Sequence, residues 1–232
     1  MDRIKLSGLS LFCIIFSCFG QGKGIDVLKK MHVTHKGGIC KSYSFSQRNT
    51  HYRNDTVLGN SEWHESVEFP DKFRIVFGEK FKGNYVIFRN DSVYNYRRSE
   101  LVRSSTDSNT LLLLLGGMYY RDVEDVARRL QAKGYDLEVS SPQRWNGSSV
   151  YVIGALPGQD LKNQIWVDHH TLKIVRIIEK MNANDWMDMR FDSHQKLCNG
   201  WVENKVSFYR NGKLEQVEEY YDIKENVPFD SK

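Results

Sequence analysis

The 232-residue chain has only four prolines, and no serine- or glycine-rich stretch separates two halves. No linker is therefore visible, which argues for a single domain after any leader is removed. It lacks a run of about 20 apolar residues, the length a membrane-spanning helix needs. Leu111 to Leu115 is intensely apolar but short, with Gly116-Gly117 behind it. It lacks a strong charge of either sign: 33 basic residues stand against 29 acidic ones, interspersed, for a net +4. That excludes the basic stripe of a nucleic-acid binder.

Catalytic and metal motifs are also missing. Gly116-Gly117 has no following lysine, so no phosphate-binding loop of the Walker type is present. No G-x-S-x-G nucleophile turn occurs. His32 and His35 have i, i+3 spacing on a helix, yet no H-E-x-x-H pattern accompanies them. His169-His170 beside Asp168 reads as a solvated turn, since neighbouring strand residues point to opposite faces. No metal, cofactor or catalytic residue is assigned.

What is present begins with an address. Arg3 and Lys5 precede an apolar run from Leu6 to Phe19, and Cys18-Phe19-Gly20 supplies small residues where a signal peptidase reads. Residues 1–20 therefore read as a secretion signal cut before Gln21, with one domain over residues 21–232. A variant reading takes Ile15-Phe16-Ser17-Cys18 as a lipobox. In that case Cys18 is lipidated and tethers the protein to a membrane.

Two cysteines lie beyond the signal, Cys40 and Cys198. Export permits a disulfide between them; the alternative is two buried thiols behaving as small hydrophobes. Sequons at Asn54, Asn90 and Asn146 would mark glycans on turns in a secreted eukaryotic chain.

Hydrophobic periodicity predicts one helix at Ile25 to His35, where Ile25, Leu28, Met31 and His32 share a face and Gly37-Gly38 stops it. Period-two alternation follows at Tyr43 and Phe45, at Phe73, Ile75 and Phe77, and from Tyr85 to Phe88. Arg89-Asn90-Asp91 then turns into Val93 to Tyr96. Asn109 to Lys133 is helical, broken at Gly116-Gly117. Its Val123, Val126, Ala127 and Leu130 form an apolar stripe, and its Leu111–Leu115 turn is expected to be buried on every side. Six further strands are expected: Val150–Ile153, Gln164–Val167, Ile174–Ile178, Asp185–Phe191, Lys205–Tyr209 and Glu215–Ile223. Asn211-Gly212 is a strong hairpin turn between the last two. The fold class is α+β, mostly β: a curved antiparallel sheet with helices covering its concave face.

The order of several short motifs resembles a known family. Phe45-Ser46-Gln47 is followed by Phe69-Pro70-Asp71-Lys72-Phe73-Arg74, then Asp91-Ser92-Val93-Tyr94-Asn95-Tyr96, then the leucine-rich helix. Gln164-Ile165-Trp166-Val167-Asp168, Arg190-Phe191, Asn211-Gly212-Lys213 and Tyr220-Tyr221-Asp222-Ile223 continue it. Together they are similar to the LolA/LolB-like superfamily of periplasmic lipoprotein-sorting carriers, and to its relatives common in Bacteroidetes.

The resemblance implies a half-barrel with a helical lid over an apolar cavity that takes the acyl chains of a lipid or lipoprotein. Its implied partners are an inner-membrane release complex and an outer-membrane acceptor. It places the protein in the periplasm, or at the outer membrane if Cys18 is lipidated. Phe73, Phe77, Phe88, Leu112, Trp166, Phe191 and Phe208 are the candidate cavity residues. In the best-known carriers an arginine directly precedes the proline and bonds to the lid; here Phe69 stands in that place, with Arg74 as a substitute further along. The alternatives are a non-catalytic envelope module with the same fold and a secreted hydrolase, which would need polar residues clustered inside the concavity.

Overall fold

The computed structural model describes residues 22–79, 82–106 and 109–229. The expected signal, its cleavage site and Cys18 lie outside the described residues. No helix among the described residues is long and apolar enough to cross a membrane.

The sheet is a single open surface of thirteen antiparallel strands. Its first arm is a meander: β1 (Ser42–Arg53), β2 (Thr56–Glu68), β3 (Lys72–Phe77), β4 (Tyr85–Arg89), β5 (Ser92–Arg97) and β6 (Glu100–Thr106). Its second arm is β7 (Ser140–Trp145), β8 (Ser148–Ile153), β9 (Gln164–Asp168), β10 (Ile174–Lys180) and β11 (Trp186–Asp192), then β14 (Lys205–Arg210) and β15 (Lys213–Glu225). The last strand returns to pair with the first, Gln47 opposite Tyr220 and Asn49 opposite Glu218. This seam joins the arms, β6 and β7 remain as free edges, and the sheet is a half-barrel that does not close.

Short turns set the register. Asn54-Asp55 and Asn90-Asp91 adopt positive φ, as do Asn146-Gly147 and Asn211-Gly212. Each pair links two strands through a two-residue hairpin, which requires that backbone. The three sequon asparagines are thus turn formers, a sufficient physical reason for their presence.

The helices sit on the second arm. α1 (Gly24–His35) buries Val27, Leu28 and Met31. α2 (Thr110–Leu114), a 3-10 turn at Gly117–Tyr120 and α3 (Val123–Ala132) follow the first arm. One apolar cluster joins them to Ile153, Ile165, Val167, Ile177, Met189 and Phe191. α2 departs from the sequence expectation. Leu113 and Leu114 are buried, whereas Leu111, Leu112 and Leu115 are only half-buried. The turn is apolar all round because one side meets the core and the other meets a cavity.

A two-stranded hairpin, β12 (Gln195–Leu197) and β13 (Gly200–Val202), stands outside the main sheet. Cys198 lies in its turn and is disulfide-bonded to Cys40, with Cα atoms 5.4 Å apart. The bond ties the hairpin to the segment between α1 and β1. Leu197 and Val202 pack there with Tyr43, Phe45 and Val67.

Candidate functional site

The seam between the arms carries the site. Its concave side presents Tyr43 and Phe45 from β1, Trp63 and Val67 from β2, Phe73 and Ile75 from β3, Phe208 from β14 and Tyr220 from β15. From above, α2 contributes Leu111 and Leu112, followed by Leu115, and between helix and sheet lies a cavity of about 220 Å³. Alternation along each strand puts these residues on one face, because successive side chains point to opposite sides. Trp63, Phe73, Ile75 and Phe208 are half-buried, as residues lining a space are.

Of the sequence candidates, Phe73, Leu112 and Phe208 line this cavity. Phe88 stacks on Phe73 with ring centroids 5.8 Å apart, and Phe77 meets Trp63 edge-on at 5.1 Å. Phe191 is 2% exposed, inside the core beneath the helices. Trp166 stands apart in a satellite cluster with Val150, Val152 and Ala155. Its neighbours Ile165 and Val167 face the helices, so alternation turns Trp166 to the opposite side of the sheet.

The lid contact differs from the arginine expected by resemblance. Phe69, 2% exposed, stacks on Tyr120 at 6.0 Å and lies against Gly116, where a β-carbon would stand 2.0 Å from its Cζ. The guanidinium of Arg74 sits 4.5 Å from the Tyr85 ring centroid. Arginines of the lid reach the sheet instead. Arg129 bonds to Asp91 in the β4–β5 turn at 2.7 Å, and Arg121 lies 3.8 Å from Asp71. Asp125 holds both arginines from within α3.

Sequence reasoning missed a polar group set into the apolar wall. Glu65, Glu203 and Glu218 line the cavity, each no more than 8% exposed. Burial penalises their charged forms, pushing Glu203 up to about 7 and Glu218 up to about 7. Glu65 is raised well above its ordinary value by burial and then by the Glu218 charge. Glu218 accepts hydrogen bonds from the Tyr220 hydroxyl at 2.9 Å and from Gln216 Nε2 at 2.7 Å. The signal that could have found them is alternation itself: Glu65 shares a strand face with Val67, and Glu218 with Tyr220.

The histidines have other tasks. His32 Nε2 lies 3.0 Å from the Arg121 carbonyl, and His35 Nε2 lies 3.1 Å from that of Thr171. Asp168 Oδ1 accepts from the backbone amides of His170 and Thr171, closing an exposed turn.

No family profile matches the chain, and no curated protein does. Solved structures do. A DUF1329 family protein from Desulfovibrio piger is 16% identical with a TM-score of 0.60, over 89% of this chain and 93% of that one. A domain described as an outer-membrane lipoprotein-sorting protein, from Vibrio parahaemolyticus, is 10% identical with a TM-score of 0.60, over 90% and 94%. A LolA-superfamily protein from Nitrosomonas europaea is 10% identical with a TM-score of 0.56, over 89% and 95%. At these identities the likeness is one of fold, and the fold of this chain is LolA-like.

Proposed function

We infer that this protein is an exported envelope carrier that shields lipid or lipoprotein acyl chains in the cavity beneath α2, in the service of outer-membrane lipoprotein sorting. The supporting observation is the placement of that cavity. It lies on the concave face of a LolA-like half-barrel, and three half-buried leucines line it from above. An acyl chain needs only an apolar space, since each buried methylene contributes about 0.8 kcal/mol. A dry cavity of about 150 Å³ already admits benzene. The present space therefore takes a short alkyl segment, and a longer chain enters as α2 moves off the sheet. Residues 1–20 direct export, and Cys18 decides between a soluble periplasmic protein and one anchored at the outer membrane.

Mass spectrometry of lipids that co-purify with the protein from native envelope tests this reading. Bound acyl lipid, reduced in a Leu112→Trp variant that fills the cavity, is the expected result. A lipid-free protein that also refuses added lipid overturns it.

A second reading, a hydrolase, has one observation in its favour: Glu203 and Glu218 hold protons near neutrality, as general acids and bases do. Among the described residues the cavity lining includes no serine, cysteine, histidine or lysine, so a carboxylate there would have to activate water. Loss of ester hydrolysis in Glu218→Gln would support it.

A further inference from the structure

A carrier of bare acyl chains has no use for carboxyl groups in its cavity, and burying them is costly unless something pairs with them. Among the described residues, none of the three glutamates has a cationic partner: the charges acting on them are one another's. Glu65, on β2, is opposite Phe45 of β1. Glu218, on β15, is opposite Asn49 of β1. The two glutamates therefore flank β1 from either side, with Gln47 of β1 between them.

Gln47 supplies an independent observation. It is 0% exposed. Its Nε2 donates to Asn49 Oδ1 at 2.5 Å, but its Oε1 has no donor. Buried side-chain acceptors are nearly always paired, so an orphan asks for an explanation. Gln47 also hydrogen-bonds Glu218 from behind the cavity wall, so in the empty protein the carboxyl proton is the donor within its reach, and a ligand that displaces that proton must bring donors and a positive charge of its own. A primary ammonium carries three N–H donors and one charge, which suits the carboxyls Glu65, Glu203 and Glu218 that line the cavity.

We propose that the cavity is built for an amphiphile with a primary ammonium head, met by Glu65, Glu203 and Glu218, and an alkyl tail lying against Phe73, Phe208 and Leu112. The proposal rests on the carrier reading and adds the chemical class of its ligand. The polar groups that line the cavity around the head are Tyr43 from β1, Glu65 from β2, Glu218 and Tyr220 from β15, Glu203 from the loop after β13, and Asn109 before α2. Gln47, Asn49 and Gln216 stand behind them, joined to Glu218 and to one another by hydrogen bonds. In the empty protein these carboxyls hold protons near neutrality. Ammonium binding displaces a proton from Glu218 to solvent, so affinity rises with pH through about 7. It falls again only where the amine itself loses its proton, near pH 10.

Calorimetric titration of the purified protein with dodecylamine, dodecanol, dodecanoate and dodecyltrimethylammonium tests this at pH 6 and pH 8. At pH 8 dodecylamine should bind about thirty-fold more tightly than dodecanol, the scale of one charge-assisted contact. The trimethylated probe, which has charge but no N–H, should fall well short of it. Two buffers of different ionisation enthalpy should report a proton released on binding. Glu65→Gln with Glu218→Gln should remove the preference, bringing dodecylamine to the affinity of dodecanol in the same variant. Equal binding of dodecanol and dodecylamine, or tighter binding of dodecanoate, overturns the proposal while leaving the carrier reading intact. If no alkyl probe binds at all, the carrier reading falls as well.

Discussion

Phe69 and Gly116 fit together so closely that no other residue can replace the glycine without movement. A β-carbon there would lie 2.0 Å from Phe69 Cζ and 2.2 Å from Cε2. The break in the leucine-rich segment is thus shaped to receive the ring that stands before Pro70. An apolar contact holds the lid where the resemblance implied an arginine.

Gly116→Ala should therefore cost stability by overpacking, about 1–3 kcal/mol, read as a lowered denaturation midpoint. Phe69→Leu shortens the ring and should recover part of that loss when combined with Gly116→Ala. Two residues in contact deviate from additivity in this way. Strict additivity of the two changes would show that the contact is absent in solution.

The disulfide should matter more than its solvent-side position suggests. Cys40 and Cys198 are separated by 158 residues, so the bond restrains nearly the whole described chain when unfolded. Cys198→Ser should cost about 2–5 kcal/mol in denaturant unfolding. Reductant should lower the wild-type midpoint toward that of the variant and leave the variant unmoved.

The buried glutamates predict how stability changes with pH. Their folded-state pKa values lie above the ordinary carboxyl range, Glu203 and Glu218 at about 7. The native state therefore binds more protons than the unfolded state between about pH 4.5 and 7. Their contribution is fully present below that window and is lost as pH rises through about 7. Glu218→Gln keeps the shape but cannot ionise, so it should flatten the decline between pH 5 and 8, a gain on the order of 1–3 kcal/mol at pH 8. A variant whose stability falls with pH as steeply as the wild type would remove Glu218 from the account.

Much of this architecture is legible in the sequence. A strand with one apolar face, such as β3, announces itself by alternation, β8 and β9 by short apolar runs, and Asn211-Gly212 marks its own hairpin. β6 is exposed along its whole length, so it carries no burial pattern to read. β2 begins with exposed and half-buried residues and becomes buried only at Glu65 and Val67. Its existence follows from the Asn54-Asp55 turn and from pairing with β1, which are facts of tertiary structure.

The site was legible in part for the same reason. Phe73, Leu112 and Phe208 could be named because aromatic and leucine side chains on a concave face line whatever space is there. Trp166 shares their chemistry, but strand parity sends it to the other face. Glu65, Gln47 and Glu218 look like solvent-side residues in sequence. Only the return of β15 onto β1 brings them together under a lid.

Whether the space beneath α2 holds an alkyl chain is tested by titration with primary alkylamines of increasing length. Affinity should grow by about 0.8 kcal/mol for each methylene added until the cavity is full, and Leu112→Trp should shift that plateau to shorter chains. An affinity that ignores chain length, or a plateau unmoved by filling the cavity, would contradict it.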